Sequence, residues 1–145
     1  MIDDSANPVV RLCAKGMAIE GEAPAARALF EQAWALRRDD YDACIAAHFL
    51  ARHQSTLDET LRWNEIAARH AEAVADDRAR SFLASLYLNL GDAHRALGHV
   101  DDAQAAAERA RAALAHVPEG GYRDFVSRAI DRLAERLASD REGTA

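Results

Sequence analysis

Apolar residues recur along most of this chain at spacings of three and four, the period of a helix with one buried face. Val9, Val10, Cys13, Ala14 and Met17 form a first stripe and predict a helix to about residue 20, where Gly21 breaks it. Pro24 suits a first helical turn, and Ala26, Leu29, Phe30, Ala33 and Leu36 carry a second stripe. Arg37 and Arg38 followed by Asp39 and Asp40 place cations at one helix end and carboxylates at the next helix start, as the helix dipole favours. A third helix is predicted over about 41–53. Ser55 or Thr56 is expected to cap a fourth, Thr56 with Glu59 three residues on reading as a capping box, and this helix carries Leu57, Leu61, Ile66 and Ala67 to about residue 74. After Asp76 and Asp77 a long fifth helix is predicted over about 78–97, ended by Gly98, and a sixth over about 101–116. Pro118, Gly120 and Gly121 form a break. A seventh helix, about 122–138, repeats Phe125, Ala129, Ile130, Leu133 and Leu137. The ends, 1–6 and 139–145, carry no stripe and are expected to fray.

Composition sharpens this into an all-α reading. Half of the 145 residues are apolar but only 6% are aromatic. Alanine dominates, with leucine and arginine behind it, and all three are strong helix formers. The length fits one domain, 1–145, able to bury a usable core. The net charge of −6 argues against a general nucleic-acid binder, which needs cations to meet phosphates. Lys15 is the sole lysine. Cys13 and Cys44 form neither a disulfide framework nor a paired metal motif and read as small buried thiols in a reducing cytosol. Neither a signal-peptide pattern nor a membrane-length apolar run is present. A cytoplasmic protein with no membrane partner is the expectation.

The stripes also repeat. Ala26, Phe30 and Ala33 align under Thr60, Asn64 and Ala67 at an offset of 34, and those under Ala103, Ala107 and Ala110 at an offset of 43. Thirty-four is a recognised helical-hairpin period, and the longer second offset places about nine extra residues near 72–80. "YLNLGDAHRALGHVDDAQAAAERA" resembles a tetratricopeptide repeat. Tyr87 resembles the opening aromatic, Leu90-Gly91 the paired leucine and small residue, Gly98 the turn, Ala103 the small crossing residue and Ala110 the late alanine. A unit over 7–40 matches through Ala14, Gly21, Ala26, Phe30 and Ala33, with Cys13 in the leucine's place. A unit over 41–83 matches through Ala47, Ala51 and Ala67. With a third over 84–117 and a capping helix over 121–139, the resemblance implies a right-handed α-hairpin solenoid of about seven antiparallel helices. The proline expected near each unit's end is missing from the first two units.

The stretch "NLGDAHRALGHVDDAQ" holds two glycines, two histidines and three aspartates, and chemistry is weighed there first. Gly91 and Gly98 lack the lysine and hydroxyl residue that a phosphate loop needs. Gly91 is read as a helix contact where no Cβ fits, and Gly98 as a C-cap. His94 and His99 are five apart across a turn, whereas metal-binding histidines on one helix face are three or four apart. Asp101 and Asp102 suit a first helical turn. The stretch is therefore read as architecture, with no metal and no cofactor.

Two further features carry function. His48, Thr60 and Asn64 stand where the repeat would place small or apolar residues that pack together. Either they satisfy one another as a buried polar network, or they line a polar ligand pocket with Trp63, Arg52 and His53 nearby. Cys44 is one turn before His48, so a thiol–imidazole pair is geometrically possible. No third partner or oxyanion hole accompanies it, and neither His48 nor Thr60 has a nucleophile relay. The second feature is the groove that the resemblance implies along the first helix of each unit. It would present Arg11, Leu12, Lys15, Ile19, Phe49, Arg52, His53, Asn89, Asp92 and Arg95. Four of these are cations on an acidic chain, a pattern for an acidic segment or a free carboxylate. The carboxylate clamp of chaperone-binding members has asparagine where this chain has Lys15 and Ala46, so what carries over is an anionic partner.

No glycine-rich nucleotide fingerprint follows a strand, and the arginines are not gathered on one recognition helix. The expectation is a non-enzymatic scaffold that binds a protein or peptide. The alternatives are a small-molecule sensor built on the His48 pocket and a helical homodimer.

Overall fold

The computed structural model describes residues 6–143. Among the described residues are seven α-helices and no strand: α1 (Pro8–Ala18), α2 (Ala23–Ala35), α3 (Asp40–Ala51), α4 (Leu57–Ala73), α5 (Leu83–Ala96), α6 (Val100–Ala113) and α7 (Gly121–Gly143). No helix among them is long and apolar enough to cross a membrane. The packing divides the chain into two compact units, one ending at Arg78 and the other beginning at Ala79.

Side-chain capping marks the starts of α1, α3 and α4. Asn7 accepts a hydrogen bond from the Val9 amide at 2.9 Å and caps α1. Asp39 does the same for the Asp42 amide, also at 2.9 Å, at the start of α3. Thr56 Oγ1 accepts from the Glu59 amide at 3.1 Å. Each removes one of the orphan amide donors that a helix N-terminus leaves. Gly98 adopts φ +79°, where a side chain is penalised, and closes α5.

Several expected boundaries move. The fifth helix does not begin at residue 78, because Asp77–Phe82 is a 3-10 turn and α-helix starts at Leu83. Asp76 explains the tight entry, since its carboxylate accepts from both the amide and the guanidinium of Arg78. The sixth helix ends at Ala113 and passes into a 3-10 turn, Leu114–His116. Val117 is then extended, as a residue before proline is forced to be. The seventh helix continues well past residue 138 to Gly143, so most of the expected C-terminal tail is helical. The remainder of the expected tails, 1–5 and 144–145, lies outside the described residues.

In the first unit α1 packs on α2, α2 on α3, α1 on α3, and α3 on α4. Its core gathers Val9, Cys13, Ala26, Phe30, Ala33, Ala46 and Leu50. The Phe30 ring of α2 lies against Gly16 of α1, where a Cβ would stand 2.7 Å from Phe30 Cζ. In the second unit α5 packs on α6, α6 on α7, and α5 on α7. There Ile130, Leu133 and Leu137 of α7 meet Ala103, Ala107 and Ala110 of α6. Gly91 is the close contact read from the sequence, since a Cβ on it would come 2.7 Å from Leu133 Cδ2 and 3.5 Å from Ala106 Cβ. Helical spacing alone overstated the core. Met17, Leu36, Leu57 and Phe125 belong to the predicted stripes, yet all four are exposed.

Candidate functional site

The residues expected to bind an anion divide by their local pairing. Arg11 and Lys15 sit one turn apart on α1, both exposed, and neither has an ion-pair partner among the described residues. Leu12 and Ile19 of the same helix are half-buried against the first core. Phe49 stacks on Phe30 with ring centroids 5.1 Å apart. Arg52 and His53 close α3, and both turn to Glu20. The guanidinium meets Glu20 Oε1 at 3.0 Å and the imidazole Nε2 meets Oε2 at 3.0 Å. Arg52 also lies 5.8 Å from the centre of the Phe49 ring.

The second unit holds the other three groove residues. Arg95 is clamped by Asp140 of α7 through two parallel bonds of 2.8 and 3.1 Å, the bidentate geometry in which guanidinium and carboxylate bind most strongly. Asn89 is half-buried on α5. Asp92 is exposed on α5, and partial desolvation by its neighbours pushes its carboxyl above its ordinary range, opposed by Arg136, Arg95 and Arg132. Two of the four expected groove cations, Arg52 and Arg95, are thus already matched within the fold. Their partners, Glu20 and Asp140, carry no signal in the sequence, being 32 and 45 positions away. Sequence reading also missed Arg27, which lines a cleft of about 430 Å³ with Ala23, Pro24, Arg52, His53, Gln54 and Ser55.

The proposed polar network does not form. Thr60 donates to the Thr56 carbonyl at 3.0 Å, and Asn64 donates to the Thr60 carbonyl at 3.0 Å. Both satisfy themselves one turn back along α4, the usual competition between short polar side chains and the backbone. His48 Nδ1 is left buried with no hydrogen-bond partner. Burial lowers the pKa of this imidazole, nearby Arg52 lowers it further, and Glu20 opposes them. Trp63 is engaged elsewhere, edge-on to Trp34 at 5.0 Å. None of His48, Thr60, Asn64 and Trp63 lines the cleft beside Arg27.

The thiol–imidazole pair is absent too. Cys44 Sγ donates to the Tyr41 carbonyl at 3.1 Å. Burial, helped by Asp39, Asp40 and Asp42, pushes its thiol up to about 12. Burial alone does the same to Cys13, also to about 12. Both stay protonated at neutral pH and lack the thiolate that reactivity requires.

The histidine pair differs most from its sequence reading. His94 Nδ1 and His99 Nδ1 approach to 3.2 Å, although the two residues are five apart. The reason is the turn itself. The His99 amide bonds to the His94 carbonyl at 2.9 Å, and the Gly98 amide to the Arg95 carbonyl at 2.9 Å. This is the Schellman closure, which carries the residue after the glycine back over the last helical turn. Asp102 stands three residues after His99, the N-cap residue of α6, and so lies on the same side of that turn. The donor atoms of His94, His99 and Asp102 all lie within 4.8 Å of one another.

Compared with known proteins, the chain matches no protein-family model, no curated protein and no solved structure.

Proposed function

We propose that this chain is a tetratricopeptide-like scaffold that binds an acidic or carboxylate-bearing protein segment without chemistry. The hairpin pairing within the first unit, α1 with α2 and α3 with α4, supports the repeat reading. So does the full burial of the small residues at the aligned positions Ala26, Ala33, Ala67, Ala103 and Ala110. The observation that carries the binding reading is the exposed Arg11–Lys15 pair, unpaired among the described residues, on a chain of net charge −6. Two cations one turn apart on the exposed face of α1 offer a carboxylate a charge-assisted contact. Arg27, Arg52 and His53 line a cleft in the same unit, with Arg27 already paired to Glu31 and Arg52 to Glu20, so the binding reading rests on Arg11 and Lys15. Two free buried thiols favour a reducing compartment, and a cytoplasmic location is part of the proposal.

The test is fluorescence anisotropy with labelled peptides. One set carries an acidic tail and a free C-terminal carboxylate; the other is neutral and amidated. The acidic set is expected to bind and to weaken as salt is raised. The double variant R11E/K15E is expected to lose about tenfold or more, since a charge-assisted hydrogen bond contributes about 1.5–3 kcal/mol. Equal binding of both peptide sets, or no effect of the double variant, would sink the proposal.

A second reading, a regulator that senses a small polar molecule, is favoured by the orphaned His48 Nδ1. A buried nitrogen without a partner costs about 1–3 kcal/mol, and a ligand hydroxyl or carboxyl donor would recover part of that. Thermal shift against a panel of small hydroxy acids tests it. A ligand of this site is expected to raise Tm in the wild type but not in H48L. An equal rise in both, or none in either, would count against it.

A further inference from the structure

We propose a divalent transition-metal site at the α5–α6 turn, formed by His94 Nδ1, His99 Nδ1 and an Asp102 carboxylate oxygen. The two nitrogens lie 3.2 Å apart, within hydrogen-bond distance, with the tautomers deciding which ring donates. Two imidazole nitrogens on one tetrahedral zinc, each about 2.0–2.1 Å from the metal, would be about 3.3 Å apart. The pair thus already holds the separation that a zinc ion would impose. The cation would sit to one side of the line between the nitrogens, about 2.0–2.1 Å from each, and the proton that joined them would pass through solvent to the Nε2 of the donating ring, leaving both Nδ1 lone pairs for the metal.

The third ligand is selected by its neighbours. Asp101 is occupied by Arg141 at 2.8 Å. Asp102 is exposed and has no ion-pair partner among the described residues, so its carboxylate can rotate inward without disturbing packed atoms. Two imidazoles and a carboxylate suit zinc, nickel or copper, whereas magnesium and calcium prefer all-oxygen sites. Three protein ligands leave a zinc position open to water or to a group on a partner. The ligands are also preorganised. Hydrogen bonds of the turn fix the backbones of His94 and His99 relative to each other, so little chain entropy is lost on binding.

Isothermal titration of the full chain with zinc chloride tests the site. One zinc per chain is expected to bind the wild type. Outer-shell partners alone change metal affinity by about 10–100-fold, so H94A and H99A should each weaken binding by roughly tenfold or more. D102N should weaken it less. His116 is exposed in the same unit but stands apart from the cluster, and H116A should bind as the wild type does. Cobalt(II) gives a second readout: nitrogen and oxygen ligands produce visible d–d bands with no sulfur-to-cobalt charge transfer. Three results would overturn the site: no zinc uptake by the wild type, uptake unchanged in H94A and H99A, or a thiolate band that puts the metal on Cys13 or Cys44. Circular dichroism of each variant separates loss of ligand from loss of fold.

Discussion

Phe30→Ala is expected to cost the fold about 3–5 kcal/mol, the range for truncating a fully buried phenylalanine. Phe30 has no exposed surface. Its ring stacks on Phe49 at 5.1 Å, meets the His53 ring at 5.2 Å, and fills the space that the absent side chain of Gly16 leaves. Truncation would open a cavity where α1, α2 and α3 converge, and Gly16 supplies no atoms to collapse into it. Domains of this size are stable by only about 5–15 kcal/mol, so the loss would be a large share. The paired control is Phe125→Ala. That residue also sits on a helical stripe, yet it is 60% exposed, and its truncation should cost about 0.5 kcal/mol or less. Urea unfolding followed by circular dichroism measures both. Similar losses for the two variants would mean that the core is not where the structure puts it.

Asp42 is the second position of large expected effect. Its side chain has no exposure, and its carboxylate accepts three hydrogen bonds. They come from Asn7 Nδ2 at 2.7 Å, the Arg38 amide at 3.1 Å and Arg38 Nε at 3.0 Å. Asn7 is itself the cap of α1. One buried carboxylate therefore ties the start of α1 to the turn between α2 and α3. Asp42→Ala should cost about 2–3 kcal/mol, because it strands the donors of a charged hydrogen-bonding group. Asp42→Asn should cost less at neutral pH, since it keeps one acceptor. Burial pushes the Asp42 carboxyl up, but the hydrogen bonds from Asn7 and Arg38 outweigh it and hold it below the usual carboxylate range. A carboxyl with a lowered native pKa stabilises the fold fully above its unfolded value of about 3.9. That contribution declines as pH falls from there towards the native value. The stability difference between wild type and Asp42→Asn should therefore be flat from about pH 8 to 5 and shrink below about pH 4. A difference that persists undiminished at pH 3 would contradict this account.

The helices and their caps were legible in the sequence. Asp39 and Thr56 at helix starts, Gly98 at a helix end and Gly91 at a close contact were all read correctly from residue type and spacing. Two of the boundaries that moved, at Leu83 and Ala113, lie beside 3-10 turns, whose hydrogen bonds differ from those of an α-helix by a single residue of offset. The third, at Gly143, lies past the last apolar position of its stripe, where periodicity gives no signal. The candidate site was less legible. Arg52 and Arg95 looked like free groove cations until the fold brought Glu20 and Asp140 to them. His48, Thr60 and Asn64 looked like a network, but each of the last two found a closer backbone carbonyl on its own helix. His94 and His99 looked too far apart because helix-face spacing does not apply across a Schellman turn.

The sequence by itself determined what depends on neighbours a few residues away: helix type, most helix starts and ends, and the face of each helix able to be apolar. These follow from propensity, capping and periodicity, which act within about one or two turns. Only the tertiary structure decided which apolar positions were covered, so that Phe30 is core and Phe125 is surface. It alone decided which charges were matched within the fold: among the described residues Arg52 and Arg95 are ion-paired, and Arg11 and Lys15 are not. The physical reason is range. Burial and ion pairing are set by whatever surface the fold brings within a few ångströms, and separation along the chain does not specify that surface.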